Sequence, residues 1–176
     1  MDTAVFFALQ QLTGRSKFFD GLWVFLATYL IWLELGAILV YFFLDRRRYL
    51  LIVSAGLSAL SGWLLARGIG EVWYRPRPFA AFFGVHQLIG MSNLEKSFPS
   101  EHATIAFAMA GAVWLFDRRW GMALFGVASL IAIGRILVGV HYPSDVLVGA
   151  ALGVGMALVF HRLIHGFLHT KHHQAK

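Results

Sequence analysis

Residues 21–44 form an apolar run whose only charged member is Glu34. A run of that length crosses the hydrocarbon core of a bilayer as a helix, the one single-segment structure that satisfies its own backbone in lipid. Further apolar runs follow at 49–73, 103–116, 120–138 and 144–160, separated by "DRRR" (45–48), the connection 75–99, "DRR" (117–119) and "GVHYPSD" (139–145). The third and fifth runs are short, and they read as spans because the chain must change sides between successive turns. The expected fold is an all-α integral membrane protein of about five transmembrane helices. One membrane-embedded domain covers 1–176, with an interfacial N-terminal segment at 1–20 ("TAVFFALQQL") and a polar, His-rich tail at 161–176. Composition agrees, since only 14% of residues are charged, against about a quarter in soluble domains.

Several function classes drop out. The chain has no cysteine, so disulfides, thiolate metal sites and a cysteine nucleophile are excluded. The net charge of +6 is scattered between apolar runs rather than gathered in a stripe, so no nucleic-acid partner is expected. The start of the chain lacks the pattern of a cleavable signal peptide. "DRRR", "DRR" and the tail hold eight basic residues on one side of the bundle. The positive-inside rule makes that side cytoplasmic. The N-terminus, the 75–99 connection and the "GVHYPSD" turn then face outward together.

Three polar stretches converge on that outer face: "YRPRPF" (74–79), "KSFPSEH" (96–102) and "GRILVGVHYPSD" (134–145). Pro99-Ser100 before an apolar run is a helix start with Ser100 as N-cap. The first turn beyond it offers backbone N–H groups, that of Glu101 included, and a positive dipole end suited to an anion. His102 in that turn can act as a general acid. Asp145, four residues after His141, is expected to hold one imidazole nitrogen and leave the other to attack. Arg77 and Arg135 offer planar forks for phosphate oxygens. The pattern describes phosphoryl transfer with no metal or other cofactor required.

R-P, P-S-x-H and R-x5-H-x3-D in this order on a helical membrane chain resemble the type 2 phosphatidic acid phosphatase superfamily, which shares its site with vanadate-dependent haloperoxidases. "PRPF" and "VGVHYPSDV" are most similar to the bacterial undecaprenyl-pyrophosphate phosphatases of the bacitracin-resistance type. The resemblance implies that His141 forms a phosphohistidine with Asp145 orienting it, that His102 protonates the leaving group, and that Arg77, Ser100 and Arg135 hold the phosphate. Three positions depart from the family pattern. Gly70 stands where a lysine is expected, Glu101 where a glycine is, and Gly134 where a serine is. Arg67, Arg75 and Lys96 are the candidates to replace the lysine's charge.

Other features have plainer readings. Arg67 is expected to pair with Glu71 one turn later, and Glu34 to satisfy a neighbouring helix. His161, His165 and His169 recur at helical spacing, as an interfacial face does, and are not read as a metal site. The expected partners are the bilayer and a polyprenyl-diphosphate or other lipid-phosphate substrate, with no obligate protein partner. The segment 79–91 is expected to line lateral access for the lipid. The alternatives are a phosphatase for phosphatidic acid or phosphatidylglycerol phosphate, and a silent relative that binds or moves a lipid phosphate.

Overall fold

A computed structural model describes residues 2–44, 49–92 and 96–174, the side chains of 165 and 167–174 excepted. Eight helices occur among these residues: α1 (Asp2–Gln10), α2 (Lys17–Thr28), α3 (Leu30–Leu44), α4 (Tyr49–Val72), α5 (Pro78–Ala81), α6 (Glu101–Phe116), α7 (Arg118–Leu137) and α8 (Pro143–Gln174). The "DRRR" turn, Ala175 and Lys176 lie outside the described residues.

Three helices are long and apolar enough to cross a membrane: α4, α7 and the Pro143–Ile164 part of α8. The expected first span is two helices, α2 and α3, bent by 50° at Tyr29, and they make a fourth crossing if counted as one. No proline or glycine marks the bend. Arg135 Nη1 donates to the carbonyl of Ala27 at 3.4 Å, and the next turn closes tightly, with the Trp32 N–H reaching the Tyr29 carbonyl at 3.0 Å. A side chain that takes a carbonyl out of the i to i−4 ladder is a recognised cause of a kink. α8 also differs from the expected tail: the helix runs on to Gln174 instead of ending near Phe160. The stretch "HRLIHGFLH" contains good helix formers and no proline to stop it.

The short helix α6 is the hub, packed against α4, α7 and α8. Its sequence explains this place. Ala103, Ala106, Ala108, Ala110, Gly111 and Ala112 are all buried, and small residues let backbones approach closely. α8 answers with Gly149 and Gly153. A Cβ at Gly149 would come within 2.6 Å of the Ser100 carbonyl oxygen, and one at Gly153 within 2.3 Å of that of Thr104. This close crossing brings the N-terminal ends of α6 and α8 together, where the Ser100 N–H donates to the Asp145 carbonyl at 3.0 Å.

α1 lies over the same end of the bundle. Phe6 is fully buried against Tyr142, and Gln10 Nε2 donates to the Leu137 carbonyl at 2.9 Å, supplying a partner to the C-terminal turn of α7. The 79–91 segment packs beside it, with Phe82 against Phe7 and with Leu88, Ile89 and Met91 against Ala27, Val138 and Val140. This cap closes one end of the bundle.

Candidate active site

A polar cavity of about 460 Å³ opens at the capped end. Its walls bring together Arg77, His102, Arg135 and His141 from three separate stretches, with Arg67, Lys96 and Glu101 beside them. Each is delivered by a local rule. An isolated bridge between Pro76 and Lys96, with the Ser97 N–H on the Arg75 carbonyl at 2.8 Å, ties the first loop to the second. Ser100 caps α6, and this sets the first-turn amides of Glu101 and His102 ahead of the first intrahelical bond. Arg135 occupies the last turn of α7, and His141 follows in the turn before α8.

The imidazole of His141 is 2% exposed and oriented at both nitrogens. Nδ1 lies 2.7 Å from the Ser97 carbonyl oxygen, which can only accept, so Nδ1 carries the proton. Nε2 is then the lone-pair nitrogen, 3.4 Å from Arg77 Nη1. Burial pushes the imidazole down to about 4, helped by Arg135 and Arg77 and opposed by Asp145. Near neutral pH the uncharged ring is favoured, with its lone pair on Nε2.

Asp145 does not hold the ring directly, as the sequence led us to expect. Its Oδ2 lies 3.7 Å from Nδ1, while the Ser97 carbonyl takes the shorter contact. The carboxylate is fully buried and bonded instead to the Ser97 hydroxyl, the Tyr142 N–H at 2.8 Å and Arg75 at 2.7 Å. Asp145 sits in the first turn of α8, so its side chain folds back on the backbone of its own helix start. Ser97 thus touches both His141 and Asp145. It lies inside "KSFPSEH", where no spacing marks it for a role.

Ser100 and Arg75 also stand outside the cavity wall. The Ser100 hydroxyl accepts from the Ala103 N–H and is fully buried. Arg75 turns behind His141, toward Asp145 and Asp2. The other two candidates for the missing lysine do reach the cavity. Arg67 lies over the Trp63 ring at 5.6 Å. Its expected partner Glu71 is bonded to Lys96 Nζ at 2.5 Å, and the same ammonium donates to the Arg67 carbonyl at 2.7 Å. The stem of Lys96 crosses the space over Gly70, where a Cβ would stand 2.5 Å from Lys96 Cδ. A side chain from the second loop therefore fills the volume left free at position 70.

An apolar groove of about 300 Å³ adjoins the cavity, lined by Ile31, Trp32 and Leu35 of α3, Trp63 of α4 and Ile105 and Met109 of α6. It shares Glu101 and His102 with the polar cavity. At the join, Trp63 Nε1 donates to Glu101 Oε2 at 2.7 Å. We expected residues 79–91 to line this kind of access, but only Met91 of that segment reaches the polar cavity.

The family model of the PAP2 superfamily matches residues 48–168, which contain every residue of this cavity. The chain belongs to the PAP2 superfamily. It is 33% identical over 135 residues to the bacitracin transport permease protein BcrC of Bacillus licheniformis, covering 76% of this chain and 66% of that one. It is 30% identical over 165 residues to the undecaprenyl-diphosphatase BcrC of Bacillus subtilis, covering 92% and 83%. A lipid A 1-phosphatase of Rhizobium johnstonii is 38% identical over 104 residues, 58% of this chain and 41% of that protein. Aquifex aeolicus LpxE shares the fold, with a TM-score of 0.75 at 24% identity over 92% of this chain and 94% of that one. As a PAP2 member with several apolar helices, the chain is a membrane lipid phosphatase by family, which leaves its substrate to be argued.

Among the described residues no group of three metal-ligating side chains occurs. His161 packs its ring edge-on against Phe116 at 5.2 Å, while the side chains of His165 and His169 lie outside the described residues.

Proposed function

We propose that this PAP2 protein is a polyprenyl-diphosphate phosphatase, most simply an undecaprenyl-diphosphate phosphatase that regenerates the cell-wall carrier lipid. The observation that carries the reading is the join of the polar cavity to the apolar groove through Glu101 and His102. A phosphate can sit among Arg77, Arg135 and the first-turn amides of α6 while an apolar chain lies in the groove. Arg67 and Lys96 add positive charge at the cavity wall for a second phosphate. The relative in Bacillus subtilis supports the same substrate class.

His141 Nε2 attacks the terminal phosphorus, and the bond from that phosphorus to the bridging oxygen breaks. The negative charge of the bound diphosphate keeps a proton on His102, which passes it to that oxygen as the lipid monophosphate leaves. Arg77 and Arg135 balance the charge on the phosphoryl oxygens. Water then attacks the phosphohistidine, His102 takes its proton, and inorganic phosphate leaves with His141 restored. The reading includes five crossings, with α6 counted among them, in a bacterial cytoplasmic membrane with the cavity facing outward.

The test is initial phosphate release, in one detergent, from a polyprenyl diphosphate, phosphatidic acid, phosphatidylglycerol phosphate and a lipid A 1-phosphate. The diphosphate should be hydrolysed fastest. A clear preference for a glycerolipid or for lipid A would replace the substrate, and no release from any would sink the enzyme reading. Single-cysteine labelling tests the orientation: a cysteine at Gln87 should label from outside, and one at Ala175 from inside.

A further inference from the structure

The rear of His141, away from the cavity, carries a second ionic assembly. Arg75 Nη1 donates to Asp145 Oδ1 and to the Ser144 hydroxyl, each at 2.7 Å, and Nη2 donates to Asp2 Oδ2 at 2.7 Å. Its guanidinium carbon lies 3.8 Å from the centroid of the Tyr142 ring. Asp2 also accepts from the Ser144 N–H at 3.0 Å and from its hydroxyl at 2.6 Å. An acid from the first turn of α1 thus serves the start of α8, far along the chain, through the same arginine that meets the buried Asp145.

We propose that Arg75 and Asp2 are positioning residues: Arg75 holds Asp145, which through Ser97 presents His141 to the cavity, and Asp2 holds Arg75. This makes α1 a working part of the site rather than a surface anchor. The inference rests on reading His141 as the nucleophile. The physical reason lies in Asp145. A carboxylate with no access to water keeps its charge only while donors surround it. If Arg75 is removed, the nearest substitute donor is the Nδ1–H of His141, 3.7 Å from Oδ2. The ring would then be drawn off the Ser97 carbonyl and Nε2 would turn from its aim.

The same geometry sets the basicity of the ring. The charged or titratable groups facing His141 are Arg77 from the first loop, His102 of α6, Arg135 of α7 and Asp145 of α8. Arg75 and Asp2 act from behind Asp145. Loss of the arginine's positive charge leaves the carboxylate less compensated, which favours the imidazolium and moves the acid limb of kcat/KM to higher pH. Loss of the Asp2 charge leaves Arg75 less compensated and moves that limb to lower pH.

The experiment compares pH profiles of kcat and KM for the full-length wild type, Arg75→Gln, Arg75→Lys and Asp2→Asn on a lipid diphosphate in detergent micelles. Arg75→Gln should lower kcat on the order of tenfold with KM within about twofold, and raise the acid limb by about half a pH unit. Asp2→Asn should shift the limb the opposite way by a smaller amount, about a few tenths of a unit. Arg75→Lys keeps the charge and should restore the wild-type limb with part of kcat. A rise in KM at unchanged kcat and limb for Arg75→Gln would make Arg75 a substrate ligand and overturn the proposal. Unmoved limbs, or shifts in the same direction for Arg75→Gln and Asp2→Asn, would also overturn it. Should Arg75→Gln fail to fold, the sign of the Asp2→Asn shift decides alone. Inactivity of the wild type, or full activity of His141→Ala, would instead remove the nucleophile reading on which the inference rests.

Discussion

The chain starts two of its helices with the same trio, proline, serine and acid, and uses them in opposite ways. At Pro99-Ser100-Glu101 the serine is the N-cap, so the acid falls at the first helical position and cannot reach back. Glu101 bonds sideways to Trp63, and the first-turn amides stay at the cavity with His102. At Pro143-Ser144-Asp145 the proline is itself the first helical residue, so the acid falls two positions later. Asp145 reaches back to the Tyr142 N–H, and Asp2 takes the Ser144 N–H. One helix start keeps its first-turn amides at the cavity and the other is closed by the protein's own carboxylates. A shift of register, with Glu in place of Asp, separates an end open at the cavity from a holding end.

The sharpest way to break this contrast is to delete the group each end serves. His141→Ala should reduce phosphate release on the order of 10⁴-fold or more with the fold retained, because no other side chain offers a bond-forming nitrogen in line. Steady-state rates beside a circular dichroism spectrum check it. His102→Ala should cost about 10²–10⁴-fold on a lipid diphosphate and much less on an activated aryl phosphate, whose leaving group needs no proton. An equal loss on both substrates would deny the acid role.

Asp145→Asn reopens the closed end. It should lower kcat by about 10–10²-fold, less than His141→Ala, since it disturbs aim and charge without deleting the attacking atom. Lys96→Ala should cost about tenfold in kcat/KM, and adding Gly70→Lys should recover little of it, because the new Cβ would still stand 2.8 Å from the Phe98 carbonyl oxygen. Gly70→Lys alone should be damaging, because its Cβ meets the Lys96 stem. Recovery by the double variant would show that a lysine at position 70 can supply the charge in place of Lys96. Ser100→Ala tests the ligand end from its structural side. It should lower stability by about 1 kcal/mol as a lost cap, while changing the rate by less than about threefold, since the hydroxyl faces its own helix. Chemical denaturation and the same rate assay separate the two effects.

Much of the site was legible because its residues sit beside prolines at helix starts, where polar groups in a greasy chain stand out. The meeting of Arg77, His102, Arg135 and His141 in one cavity follows from the order of the turns. Links between distant residues were not legible. No spacing connects Asp2 with Arg75, or tells that Lys96 crosses above Gly70, because those contacts depend on where loops cross in space. The break between α2 and α3 carries no local signal either: the group that meets it, Arg135 on the Ala27 carbonyl, lies 108 residues away along the chain. The groove escaped for a related reason. The aromatic-rich segment 79–91 suggested lipid contact, but Leu88, Ile89 and Met91 pack on Ala27, Val138 and Val140, and the exposed Phe83 does not line the groove.

The cavity has a consequence for handling the protein. Arg67, Arg77, Lys96 and Arg135 share its wall with the positive end of α6, against the two acids Glu71 and Glu101, each already bonded to a neighbour. Like charges packed this closely weaken the fold that holds them. An anion that settles among them relieves that repulsion and binds only the folded form, worth about 2.7 kcal/mol at a hundredfold excess over its Kd. Phosphate, sulfate or vanadate in the buffer should therefore raise the melting temperature and lengthen shelf life in detergent. The reaction's own product is thus a preservative for the enzyme that makes it.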